Sequence, residues 1–540
     1  MLTRGAGALL CVMLALGAIG VANARMNVVV VMTDDQRFDT LSKTPNIAQL
    51  AAKGVQFTRA YQTTPVCGPA RASILSGGFL SQNTGILENS EPNGGAKLFN
   101  DQGNLGAVMQ STGYRTLFAG KWVNGYESRG SYVPPGWSRF VGRHSYANST
   151  SWFNFKYTQG SSGASASAYG QIVEANRYTT YYERDQVLNF LDSVPAGQPF
   201  FVFWSPSAPH ELAMPAPEDA DAFPDFQYNG RGVTETDLSD KPRWVRQNSD
   251  PPDDIEFIRD QLRSMLSVDR SVAAIVDRVR AMGQLDNTVF ILTSDNGYMW
   301  NEHGLWRKNK AYDEAMRVSL AVVVPRVAPR KEAKLVAPNL DIGPTVFDVA
   351  GVSRKSDGRT LLPLVRNPGA AWRGDLFVEM SNSTLNGNAI WAGVVNQRWK
   401  YVRYWTGEEE LYDLQSDPYE LQSRHADASL ETLKAGLAAR TDAQLGLAIV
   451  PVPKLPAAYV GRAFSYRMRP WGGEAPFQWE VGAGGLPPGL SVNPTTGVIS
   501  GTPTARGTYQ FRIRLTDSVL ATQAKRPRTF LTRVMRLVVE

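Results

Sequence analysis

A chain of 540 residues is too long for one ordinary domain and suggests a large α/β body with something smaller attached. With 43% hydrophobic and 20% charged residues it has the composition of a globular protein with a sizeable core, and not of a disordered one. The net charge of +6 does not mark a general polyanion binder: residues 451–540 hold twelve Lys/Arg against four Asp/Glu, so the basicity belongs to the tail and no nucleic-acid partner is expected.

Arg4, an apolar run from Ala6 to Val21 and the small-x-small triplet Ala22-Asn23-Ala24 read as a cleaved secretory signal over residues 1–24. The run is short for a membrane span, so a secreted or periplasmic protein is expected. Of the two cysteines, Cys11 lies inside that signal, which leaves Cys67 without an internal disulfide partner. A lone cysteine is usually a small buried hydrophobe.

Asn27 to Thr33 is a continuous β-branched run, as in a central parallel strand buried on both faces, and it runs into Asp34-Asp35. Functional groups gather at the carboxyl ends of such strands, although an isolated acidic pair is equally a solvated turn. A helix with Ile47, Leu50 and Ala51 on one face follows and ends at Gly54. Thr64 to Gly77 is the stretch around which the chain is organised. Cys67 starts a short helix there, Pro69 suits its first turn and Gly77-Gly78 stops it. The Cys67 sulfur therefore lies near a helix N-terminus, which favours an anion, and Arg71 one turn on can reach back toward it.

Leu105 to Ser111 is a further helix, Tyr114 to Ala119 a strand, and Gly120-Lys121-Trp122 its exit, where a lysine is ordinarily a solvated rim charge. Residues 142–170, rich in Ser, Gly, Ala, Asn and Tyr, read as a loop. Phe200 to Trp204 is a buried strand whose exit carries His210, one of four histidines. Leu262 to Met282 shows the stripe of a sheet-packing helix, and Thr288 to Thr293 is another buried strand, ending at Asp295-Asn296. Glu302 to Tyr312 holds His303, Lys308 and Lys310 before a strand at Leu320 to Val324 and a helix opened by Asn339. Beyond a Pro-rich linker, Phe464, Tyr466 and Met468, then Tyr509, Phe511, Ile513 and Leu515, alternate with polar residues as in an all-β sandwich.

The Cys67-x-Pro69-x-Arg71 pattern resembles the signature of the formylglycine-dependent sulfatases, members of the alkaline-phosphatase-like superfamily. Gly-Lys-Trp at 120–122 and Ala-Pro-His at 208–210 match further family positions in family order. Asn124, where many members have histidine, resembles the glucosamine-6-sulfatase branch. Leu486-Pro487-Pro488-Gly489-Leu490 and the run from Gly497 to Pro503 resemble bacterial Ig-like modules, which commonly bind or space. The implied fold is α/β: an alkaline-phosphatase-like mixed sheet flanked by helices (25–375), a small C-terminal antiparallel subdomain (376–446), a linker (447–456) and an Ig-like sandwich (457–540).

The resemblance implies that Cys67 is oxidised to formylglycine by a maturation enzyme, and that Asp34, Asp35, Asp295 and Asn296 join it around one metal. Such a hard, all-oxygen set suits Ca²⁺, with Mg²⁺ the other choice, and not zinc. The hydrated aldehyde would attack sulfur and its second hydroxyl would later expel sulfate. Arg71, Lys121 and Lys308 would face the sulfuryl oxygens, Lys308 and not Lys310 by the family's spacing. His210 would contact the leaving oxygen or protonate it, with His303 behind it. The expected activity is hydrolysis of a sulfated small molecule or glycan. A phosphodiesterase or phosphonate hydrolase of the same superfamily is one alternative, and an inactive body whose basic sandwich holds a polyanionic glycan is the other.

Overall fold

The computed structural model describes residues 25–540 except 92, 145–151, 249–253, 381–389, 446, 450–454, 474, 519–528 and 533. The signal at 1–24 and most of the Pro-rich linker lie outside the described residues. A ten-stranded sheet spans the body. In chain order its strands are β1 (Asn27–Thr33), β2 (Val55–Phe57), β3 (Arg115–Lys121), β4 (Arg139–Arg143) and β5 (Phe155–Gly160), then β6 (Gln171–Ala175), β7 (Phe200–Ser205), β8 (Thr288–Ser294), β9 (Leu320–Val323) and β10 (Arg330–Glu332). Their spatial order is β10-β2-β9-β8-β1-β7-β3-β4-β5-β6, and the five from β8 to β4 are parallel.

Every residue of β1 and β8 is buried, which is why both read as unbroken apolar runs rather than alternating ones. The two-residue period still divides them between two cores. Val28, Val30 and Met32 pack with Ile74, Met109, Ile342 and Phe347 on one side of the sheet. Val29 and Val31 pack with Ile47, Phe190, Val272 and Ile275 on the other. The helices follow from this split: α1 (Pro45–Ala51), α3 (Thr179–Asp192) and α4 (Ile255–Ala281) serve the second core, while α2 (Cys67–Leu75) and α5 (Pro338–Val349) serve the first. Each fully buried Val, Leu, Ile or Phe contributes roughly 1.5–3 kcal/mol, so a one-residue slip of β1 or β8, which exchanges the two faces, is strongly disfavoured.

Three expectations change. Residues 142–170 are not one loop, because β5 and a short strand at Ala168–Tyr169 lie inside that range. Tyr157 and Thr158 are buried there, so hydrophobic contact and ladder hydrogen bonds override a composition that looks like a loop. Ala448–Ile449, assigned to the linker by sequence, is instead a strand paired with Pro470–Trp471 of the sandwich. Helix α4 begins seven residues before the expected Leu262, capped by the Asp254 side chain on the Phe257 N–H.

The antiparallel subdomain is a meander of β11 (Asp375–Met380), β12 (Trp391–Asn396), β13 (Trp399–Tyr404) and β14 (Glu409–Asp413). The C-terminal module carries antiparallel sheets, with Phe511, Ile513 and Leu515 of its longest strand buried as their alternation requires. No described helix is long and apolar enough to cross a membrane.

Candidate active site

The parallel pairing of β1 and β8 sets Thr33 opposite Ser294, so the two acidic exits, Asp34-Asp35 and Asp295-Asn296, emerge side by side. Two backbone hydrogen bonds lock them together. The Asp295 N–H donates to the Thr33 carbonyl at 3.0 Å, and the Asp35 N–H to Asp295 Oδ1 at 3.2 Å. Asp35 has φ +70°, a left-handed conformation that costs a non-glycine residue about 1–2 kcal/mol. Strain of this kind persists where surrounding structure over-determines it, here at the turn that aims both carboxylates inward.

Helix α2 delivers Cys67 to the same place, and all nine of its residues are buried. The Cys67 Sγ lies 3.4 Å from Asp34 Oδ1 and 3.0 Å from the Lys308 Nζ. Arg71, one turn along, donates from Nε to Asp295 Oδ2 at 2.8 Å and from Nη1 to the Lys121 carbonyl and Ser205 Oγ at 2.7 and 2.6 Å. Lys121 is the last residue of β3 and its Nζ donates to Asp34 Oδ2 at 2.5 Å. Gly120 beside it has φ +106°, and a Cβ there would stand 2.1 Å from the Ser205 carbonyl oxygen, so only glycine lets β3 and β7 close at this end. Lys308 donates to both oxygens of Asp35 at 2.6 and 2.8 Å. Its neighbours Arg307 and Asn309 both have φ +71°, which turns the chain so that residue 308 points into the cluster.

Three carboxylates and three cations thus share one buried space. Burial would raise the pKa of Asp34, but the cations Lys121, Arg71 and Lys308 around it outweigh that and hold it well below the usual carboxylate range. Asp295 goes the other way, pushed up to about 6 by burial and by the charge of Asp34 and Asp35. Burial opposes the charged form of Lys121 and Lys308, yet the carboxylates raise both above an ordinary lysine. The Cys67 thiol is pushed far up by burial, so an unmodified cysteine here is a poor nucleophile.

His210 stands at the open side of the cluster, half-buried, with Nε2 3.9 Å from Asp35 Oδ2. Burial and the positive charge of Lys308 hold its pKa well below the usual histidine value, so it is a neutral imidazole near neutral pH. His303, the second candidate for the leaving-oxygen contact, is buried against Glu235 and stacked on Tyr312, with ring centroids 4.2 Å apart. A short hairpin at Met299–Trp300 and Trp306–Arg307 separates the roles of residues 303 and 308, which sequence proximity had joined.

The residues fit a hard divalent cation. Ligand atoms of Asp34, Asp35, Cys67 and Asp295 all lie within 4.8 Å of one another. The Asn296 Oδ1 beside them is a buried acceptor with no hydrogen-bond partner, while its Nδ2 donates to Asp35 Oδ1 at 2.6 Å. An unpaired amide oxygen next to three carboxylates is the donor set expected around Ca²⁺ or Mg²⁺.

Sequence reasoning missed three supporting groups. Ser205 braces Arg71, the Gln62 side chain donates to the Ser294 carbonyl at 2.6 Å, and the Asn89 Oδ1 accepts from the Gly68 N–H at 2.8 Å. Ser205 was findable as the polar residue ending a buried strand. Gln62 and Asn89 sit in irregular segments with no period to mark them.

Family models match for sulfatase over residues 26–352, for the C-terminal region of N-sulphoglucosamine sulphohydrolase over 301–445, and for an Ig domain over 447–530. The N-acetylglucosamine-6-sulfatase of Capra hircus is 31% identical over 401 residues, covering 68% of this chain and 70% of that one. The N-acetylglucosamine-6-O-sulfatase of Bacteroides thetaiotaomicron is 26% identical over 484 residues, 74% of this chain and 82% of that one. A protein solved in complex with its substrate, D-glucosamine-2-N,6-O-disulfate, superposes with a TM-score of 0.65 at 23% identity, covering 78% of this chain and 97% of that one, a likeness of fold.

Proposed function

Since the chain belongs to the sulfatase family, we propose that it removes sulfate from a sulfated sugar of the glucosamine type, through a formylglycine made from Cys67. One observation carries this reading: Cys67 Sγ lies within 3.4 Å of both Asp34 and Lys308, inside a closed set of three carboxylates and three cations. No structural role calls for a cysteine there, and the thiol itself is held protonated. The hydrated aldehyde supplies a nucleophilic hydroxyl and a second hydroxyl that releases sulfate. A divalent cation held by Asp34, Asp35, Asp295 and Asn296 would supply charge to the nucleophile and to one sulfuryl oxygen, Ca²⁺ being favoured by ligands that need not form a strict octahedron.

The chain's own residues do the rest. Lys121, Lys308 and Arg71 remain cationic and preorganised, so they face the negative charge that spreads over the sulfuryl oxygens without reorganising during the reaction. His210, neutral and on the open side, contacts the bridging oxygen and orients the departing alcohol. Export through the 1–24 signal belongs to the same proposal, and a mature N-terminus at Arg25 would support it.

The substrate class comes from the relatives named for N-acetylglucosamine 6-sulfate and from the branch that Asn124 resembles. The test is sulfate release from N-acetylglucosamine 6-sulfate, from an aryl sulfate and from a matched aryl phosphodiester. The proposal expects turnover of the sulfated sugar and a preference for sulfate over phosphodiester. Faster phosphodiester cleavage would overturn it in favour of a phosphodiesterase, and retention of sulfated glycan with no turnover of any ester would favour a binding protein.

A further inference from the structure

The helix that carries Cys67 has no cap of its own. Its N-cap residue is Val66, which has no side-chain acceptor, so the first-turn N–H groups must be satisfied from elsewhere. Asn89, twenty-one residues on, does this by accepting from the Gly68 N–H at 2.8 Å. The approach is close: a Cβ at residue 68 would stand 2.9 Å from the Asn89 Oδ1 and 3.2 Å from the Glu88 carbonyl oxygen. Gly68 is therefore small because the 87–94 loop lies directly on the start of the helix.

That loop is pinned from its other side by the C-terminal module. Its backbone closes on itself through the Leu87 N–H to the Asn93 carbonyl, 2.7 Å, and a bridge between Glu88 and Gly94. Leu87 belongs to one hydrophobic cluster with Phe377 and Ile390 of the meander and Trp471, Phe530 and Leu537 of the sandwich. The Asn93 Oδ1 accepts from the Leu531 N–H of the sandwich at 3.4 Å. The Gln82 Nε2 donates to the Gln444 carbonyl at 2.9 Å, just before the strand at Ala448–Ile449 joins the module. Arg403 of the meander lies over the Trp471 ring, 5.0 Å from its centroid.

We propose that the C-terminal sandwich is a working part of the catalytic unit: it clamps the 87–94 loop, and through that loop Asn89 acts as a positioning residue that caps and orients the Cys67 helix. This rests on the reading of residue 67 as the nucleophile, but the contact it describes can be measured without turnover. The experiment uses the full chain with Asn89→Ala, Asn89→Asp, Asn93→Ala and Leu87→Ala, and follows amide hydrogen exchange in the peptide around Gly68. Loss of the cap in Asn89→Ala should speed that exchange roughly tenfold, and Asn89→Asp, which keeps an acceptor oxygen, should restore it. Asn93→Ala, which removes the side-chain contact with the sandwich, and Leu87→Ala, which loosens packing against both meander and sandwich, should speed it severalfold at the same site. On a sulfate ester, kcat should fall in step with exchange while KM stays unchanged. Gly68 exchange equal to wild type in Asn89→Ala would overturn the capping role, and wild-type exchange in Asn93→Ala would overturn the clamp. Should Leu87→Ala fail to fold, Asn93→Ala alone decides. An unaltered chain that cleaves no sulfate ester would strike at the sulfatase reading, and the exchange result would still decide the clamp.

Discussion

Two of the buried charge clusters among the described residues differ in how far they open to solvent. Around Cys67, Asp34, Asp35 and Asp295 face Arg71, Lys121 and Lys308 at the ends of parallel strands. Between the body and the meander, the Lys400 Nζ meets the Ala311 carbonyl and Asp313 Oδ1, each at 3.0 Å, and also pairs with Glu420. Glu410 there accepts from Tyr312, Tyr404 and Tyr412. The Lys400 side chain is fully buried, whereas Lys121 and Lys308 keep 9% and 7% of theirs exposed beside the half-buried His210. Both clusters hold a residue at positive φ, Asp35 in the first and Glu420 in the second, but only the first opens toward solvent, beside the Asn296 oxygen that lacks a hydrogen-bond partner. Buried charge and backbone strain alone do not mark a site; an open side with a waiting acceptor does.

The contrast can be broken in four ways. The largest effect should come from dialysis against a calcium chelator. Activity should vanish while the far-ultraviolet circular dichroism stays native, because the cores do not depend on the ion; activity that survives would remove the metal from the account. Lys400→Met should cost about 3–5 kcal/mol of stability, the penalty for stranding Asp313 and Glu420, with kcat of the folded fraction near normal. Lys308→Ala or Lys121→Ala should show the reverse, a kcat lower by roughly 10² to 10³ with a small change in melting temperature. Normal turnover in either variant would remove that lysine from the site.

The smallest effect concerns Glu183, which lies outside both clusters and accepts from Tyr157 OH at 3.1 Å and Trp204 Nε1 at 3.2 Å. Burial raises its carboxyl from 4.5 to about 7. The folded chain then keeps a proton that the unfolded chain has released, so stability should fall as pH rises from about 4.5 to 7 and level off above. The loss is on the order of 3 kcal/mol, and Glu183→Gln should flatten it in urea titrations across that range.

Much of this was legible in the sequence, for physical reasons that can be named. Strands buried on both faces announce themselves as β-branched runs, so Asn27–Thr33 and Thr288–Ser294 were found and their acidic exits with them. The pairing that brings Asp34 beside Asp295 was not legible from spacing, because parallel strands join residues 261 positions apart. The assembly of Lys121, His210 and Lys308 came from family resemblance, and the structure places all three at the cluster. The contact of His303 with Glu235 was not legible, because it joins residues 68 positions apart. The strand at residues 155–160 was hidden by polar composition, and the Asn89 cap by the absence of any local pattern around it.

The most direct measurement of the central claim is the mass of the tryptic peptide Ala60 to Arg71 from protein made in its own host. The account predicts an aldehyde at residue 67 in place of the CH₂SH group. An unmodified thiol there, in a host that modifies other sulfatases, would contradict it.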